Sequence, residues 1–172
     1  MATLRCTQKL LKRLGITRPG EPEPVLNALG DWYANIFFTP QGHYLMLLSE
    51  HARLPLMMSA RDLRSLPGRF LAQLEELLRV IDVPQHQIDR ELHSMQPLAF
   101  GRTADRSLLG TLNDNVLLAR HALDAGDRST SEISRWLAEA PCLVLDGAFP
   151  IEKARALLAN PRGFSVLDGR RR

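Results

Sequence analysis

Arg102-Thr103-Ala104-Asp105-Arg106 stands immediately before the periodic pattern of a long helix. Backbone amides at a helix N-terminus have no intrahelical partner. Two flanking arginines would make that end a site for a phosphate or a carboxylate. The same residues also read as a cap, with Thr103 or Asp105 holding the first turn and pairing with an arginine, and caps outnumber anion sites. Along the same helix Arg106, Gly110, Asn113 and Leu117 fall at i, i+4, i+7 and i+11. Gly110 would admit a ligand or a second backbone closely, and Asn113 offers both donor and acceptor groups. A tight packing contact, with Asn113 satisfied internally, is the favoured reading of that stripe.

Asp31, Tyr33 and Asn35 alternate with apolar residues and so share one strand face with Phe37. Asn35 could line a pocket, although tying the sheet to a loop is the commoner use of such a group. His86, Asp89 and His93 also share a side of a helix. Such a trio could hold a metal, but it lies opposite Ile88, Leu92 and Met95 and reads as a solvent face, so no metal site is assigned. The chain has no P-loop, glycine-rich dinucleotide fingerprint, GxSxG, HExxH or CxxC pattern. No catalytic residue and no cofactor is assigned, and whether the protein is an enzyme stays open.

The elements that must position these residues are legible in outline. Residues 29–60 are the densest apolar stretch and break at Thr39-Pro40-Gln41-Gly42 and at Glu50-His51-Ala52-Arg53, which predicts a three-stranded antiparallel meander. Alternation puts Trp32, Ala34, Ile36 and Phe38 on one face and Tyr33, Asn35, Phe37 and Thr39 on the other. The second and third strands are apolar on both faces, so the sheet is expected to be covered on both, by helices on one side and by more chain or a second subunit on the other. Pro55 makes the third strand an edge or a bulge. Thr3–Cys6 reads as a short edge strand, and residues 96–102 as one more strand or an extended connection. Ser59 with Asp62 resembles a helix start and gives a short turn through Ser65. Helices are expected from the N-cap Thr7 to Leu14, after Pro67, after Pro84 (with Ile88, Leu92 and Met95 inward), over 106–125, and after Ser129. A final one spans 150–159. In the helix after Ser129, Ile133, Trp136, Leu137 and Ala140 face inward; Cys142–Leu145 reads as a last strand. Residues 15–27, rich in Pro and Gly, form a stiff exposed connection.

A chain of 172 residues, 45% hydrophobic and 24% charged, is expected to form one domain over 1–160 with an Arg-rich flexible tail over 161–172. The net charge is only +3, and Arg162 with Arg170 to Arg172 supply much of the positive charge, so a concentrated basic face for nucleic acid is not expected. Cys6 and Cys142 match no metal spacing and are expected to be reduced in a cytoplasmic protein. No apolar run approaches the ~20 residues of a membrane span.

Three blocks carry a resemblance. Residues 5–11 (RCTQKLL), 29–35 (LGDWYAN) and 106–114 (RSLLGTLND) look like an uncharacterised bacterial domain family of unknown function, over about residues 2–160. That resemblance brings no activity or catalytic residue. It implies that the blocks belong to one unit, and Arg5, Asp31, Asn35, Arg106 and Asn113 are expected to converge around one site.

The fold class is therefore α+β, a small antiparallel meander covered by about five or six helices. The preferred functional reading is a non-catalytic binding or interaction module, homodimeric through its apolar sheet or engaged with a protein partner. The alternative is a small enzyme or binding protein for an anionic compound, with Arg5, Asp31, Tyr33, Asn35, Arg102, Thr103, Arg106 and Asn113 as ligand-binding candidates.

Overall fold

Five strands, β1 (Ala2–Cys6), β2 (Trp32–Thr39), β3 (Gly42–Ser49), β4 (Pro55–Ser59) and β5 (Leu98–Arg102), form one sheet in the order β4-β3-β2-β1-β5. The computed structural model describes residues 1–21 and 24–161. Of the expected tail over 161–172, residues 162–172 lie outside the described residues. β2, β3 and β4 make the predicted meander, with Trp32 opposite Ser49 and Leu48 opposite Pro55. β4 is an edge strand, as Pro55 requires.

The sheet is mixed rather than a purely antiparallel meander. β1 pairs in parallel with both β2 and β5, Arg5 standing opposite Tyr33 on one side and Gly101 on the other. Thr3–Cys6 is thus interior, not an edge strand. Its second neighbour comes from nearly a hundred positions further along the chain, a pairing that no local pattern encodes.

Six helices, α1 (Gln8–Leu14), α2 (Leu66–Val80), α3 (Gln85–Met95), α4 (Arg106–Ala125), α5 (Thr130–Ala138) and α6 (Pro150–Ala159), cover both faces of the sheet. Trp32, Ala34 and Ile36 of β2 pack with Leu10, Phe70 and Ile88 on one face. Tyr33 and Phe37 pack with Leu108, Leu112 and Ile133 on the other. The alternation read from the sequence therefore assigns each residue of β2 to its layer. Full burial of a side chain such as Phe70 or Met46 contributes about 1.5–3 kcal/mol, which is why strands apolar on both faces need both layers. The covering comes from helices of the same chain, so the apolar sheet calls for no second subunit.

The helix signals also resolve. Gly15 ends α1 in a left-handed conformation at φ 72°, and Ser129 with Glu132 forms the capping box that opens α5. Four local readings change. Thr7 sits at the N-cap of α1, but its hydroxyl donates to Asn35 Oδ1 at 2.9 Å instead of capping the helix. Cys142–Leu145 is not a strand; residues 143–145 form a 3₁₀ turn with Leu143 exposed. Trp136 lies at the surface, 36% exposed, under the Arg128 guanidinium at 4.9 Å. In α3 the buried positions are Ile88, Glu91 and Met95, with Leu92 only half-buried.

Glu91 has a physical reason to be inside. Its carboxylate accepts from Asn27 Nδ2 at 3.0 Å, Ala28 N at 2.8 Å and Leu29 N at 2.9 Å. It thereby satisfies the backbone of the turn that delivers the chain to β2.

Candidate functional site

β1 and β5 are parallel neighbours whose chains leave in opposite directions. β1 runs into α1, which packs Leu10 and Leu11 on one face of the sheet. β5 runs through residues 103–105 into α4, which packs Leu108 and Leu112 on the other. Adjacent parallel strands whose connections diverge to opposite faces leave a crevice beyond their carboxyl ends, the usual ligand position in open parallel sheets. Here that crevice is a hollow of about 440 Å³ lined by Arg5, Arg18, Arg102, Thr17, Thr103 and Glu21, with Pro19, Gly20 and Ala104 completing its wall.

The far wall is built by the connection after α1. Gly20 N donates to Phe100 O at 3.0 Å, pinning residues 17–21 alongside the edge strand β5. Three arginines face one carboxylate, Glu21, among the described lining residues. Arg18 and Arg102 are exposed and make no ion pair with any described residue.

Arg5 is held differently. Its Nε donates to Asp31 Oδ2 at 2.7 Å, and Asp31 Oδ1 accepts from Thr3 N at 2.9 Å. Asp31 is 1% exposed and the Arg5 side chain 13%. Nη1 reaches only the Arg102 carbonyl at 3.5 Å. The Nε contact therefore fixes the plane of the guanidinium while its outer edge stays available to the crevice. Gly101 lies beside Arg5 with no side chain to intrude: a Cβ there would stand 2.7 Å from Thr3 Cγ2.

Tyr33, next to Arg5 in register, accepts from Asp105 N at 3.3 Å through its hydroxyl and ties the crossing segment to β2. Burial raises its pKa, partly offset by the backbone hydrogen bond from Asp105 and the charge of Arg5, so the phenol stays protonated. Asp105 caps α4, its carboxylate accepting from Leu108 N at 2.9 Å. The start of α4 is thus occupied by its own cap. Arg106, Gly110, Asn113 and Leu117 lie on the exposed side of α4, and a Cβ at Gly110 would meet nothing within 4 Å. The packing contact expected there is not made.

Of the residues singled out in the sequence, Arg5, Arg102 and Thr103 line the crevice. Asp31 holds Arg5 and Tyr33 holds the segment that carries Thr103 and Ala104, but neither lines the crevice, nor does Asn35, which accepts from Thr7 instead. Arg106 and Asn113 point elsewhere, to solvent. Thr17, Arg18 and Glu21 fall in the connection over 15–27, for which the sequence predicts exposure and no site. The one available signal was an arginine between Thr17 and the Pro19-Gly20 pair, where the chain is stiff enough to hold it in place. His86, Asp89 and His93 are exposed, and no group of metal-ligating residues occurs among the described residues.

Residues 3–153 match the family model of a domain of unknown function, DUF6933. The chain belongs to that family. The DUF6933 match spans all three of the sequence blocks noted above and takes in the crevice whole. Comparison with curated proteins and with solved structures returned no match. No helix among the described residues is long and apolar enough to cross a membrane.

Proposed function

We propose that this DUF6933 domain is a binding protein for an anionic small molecule, held in the crevice beyond β1 and β5 by Arg5, Arg18 and Arg102. The observation that carries this reading is that all three arginines line one hollow at the switch point of the sheet, where Glu21 is the one carboxylate among the described lining residues. Arg5 supplies a guanidinium already oriented by buried Asp31, so little side-chain freedom is lost when an anion docks on it. Arg18 and Arg102 supply mobile charge at the rim, which draws an anion in and exchanges water for charge-assisted hydrogen bonds. The reading is one of binding, and no catalytic role is assigned.

Calorimetric titration of the full chain with pyrophosphate and with citrate tests it. At least one of the two is expected to bind, and Arg102→Ala is expected to weaken that binding by about tenfold, the loss of one charge-assisted contact. Absence of heat with both anions, or binding indifferent to Arg102→Ala, would overturn the proposal.

A further inference from the structure

A second hollow, of about 480 Å³, borders the arginine crevice along Thr17, Pro19, Arg102 and Thr103. Its character is different. Leu11 and Ile16 form its wall with Pro19 and Cys6, while Gln8 and Lys12, one turn apart on α1, stand at its rim. Leu11 and Cys6 belong to the packed core and are buried, so this wall is fixed in place, while half-buried Ile16 and Pro19 present its apolar surface. Gln8 offers a donor and an acceptor side by side. An apolar wall with a few polar groups at its edge suits a ring compound, its face against the aliphatic side chains and its edge toward the amide.

The arginine side narrows the charged half. A single carboxylate is saturated by one bidentate guanidinium, whereas three arginines lining one hollow match a group with several oxygens and more than one negative charge. Thr17 and Thr103 line both hollows. Resting on the anion-binding reading above, we infer that the ligand is bipartite: a phosphorylated ring compound of the nucleotide class. Its phosphates lie among Arg5, Arg18 and Arg102 and its ring lies against Leu11 and Ile16.

The test is calorimetry of the full chain with pyrophosphate beside ADP, GDP, UDP and CDP. At least one nucleoside diphosphate is expected to bind about tenfold or more tighter than pyrophosphate. Arg102→Ala should weaken both kinds of ligand. Gln8→Ala and Ile16→Ala, checked by circular dichroism for an intact fold, should weaken the nucleoside diphosphate alone and bring it level with pyrophosphate. If pyrophosphate binds and no nucleoside diphosphate exceeds it, or if the two substitutions leave the difference unchanged, the bipartite ligand is wrong while anion binding stands. If citrate binds and no phosphate compound does, the phosphate assignment is wrong and the anionic reading survives. If none of the anions binds, the anion-binding reading falls and this inference with it.

Discussion

Arg5 Nε and Asp31 Oδ2 stand 2.7 Å apart at the seam between β1 and β2, and the second oxygen of Asp31 takes the backbone amide of Thr3. One carboxylate thus closes a buried backbone donor and aims a guanidinium into the crevice. The two functions are inseparable in the native chain and separable by substitution.

Asp31→Ala removes both contacts and leaves a largely buried arginine without its counter-charge. A loss of about 3–5 kcal/mol in unfolding free energy is expected, read from the urea midpoint at unchanged slope. Asp31→Asn keeps an acceptor for Thr3 N and should lose only about 1.5–3 kcal/mol, the strength of one charged hydrogen bond. A loss under about 1 kcal/mol for Asp31→Ala would mean that the pair behaves as an exposed one.

Glu91→Leu should be destabilising even though it adds apolar surface to the inner face of α3. The leucine cannot accept from Ala28 N and Leu29 N, and each buried amide left unpaired costs about 1–3 kcal/mol. Hydrogen exchange at those two amides is the sharper readout. It should accelerate in Glu91→Leu well beyond the change at core amides of β3, and equal acceleration everywhere would argue for a global effect instead.

How far the sequence announced this arrangement depends on the range of the interaction. Trp32 to Thr39 declares its two faces by alternation, and the boundaries of α4 follow from its leucine spacing and Gly126, because both signals are local. The parallel pairing of β1 with β5 is nonlocal and left no trace in either segment. The burial of Glu91 leaves no signal in the sequence, because helical periodicity counts apolar residues and has no way to register a carboxylate that serves a distant turn. The site was half legible for the same reason. Arg102 and Thr103 were marked by the helix they precede, while Arg18 reaches them only because Gly20 docks on Phe100.

Gly101→Ala probes the seam between β1 and β5 beside Arg5. The new methyl would meet Thr3 Cγ2 at 2.7 Å, on the neighbouring strand β1 to which the backbone of Gly101 is paired. Overpacking of this kind costs about 1–3 kcal/mol. Thr3→Ser in the same chain deletes the opposing methyl and keeps the hydroxyl, so the double variant should regain most of the loss in urea denaturation. Simple additivity of the two substitutions would show that they do not meet.

Cys6 provides the pH-dependent prediction. Burial pushes its thiol from an ordinary value of 9.0 up to about 12, because a thiolate there would be stripped of water. In the window from about pH 9 to about 12 the unfolded chain has lost this proton and the folded chain retains it. Fewer protons on the unfolded state mean that stability falls as pH rises, so Cys6 contributes its full share below the unfolded value and loses it across that window. The same burial protects the thiol from alkylation. Iodoacetamide at about pH 8 should modify half-buried Cys142 first, and label Cys6 only at the rate of unfolding. Peptide mass spectrometry of a time course separates the two sites, and Cys6→Ala should flatten the alkaline limb of the stability curve. Rapid labelling of Cys6 in the folded protein would show that the wall it forms beside Leu11 opens to solvent.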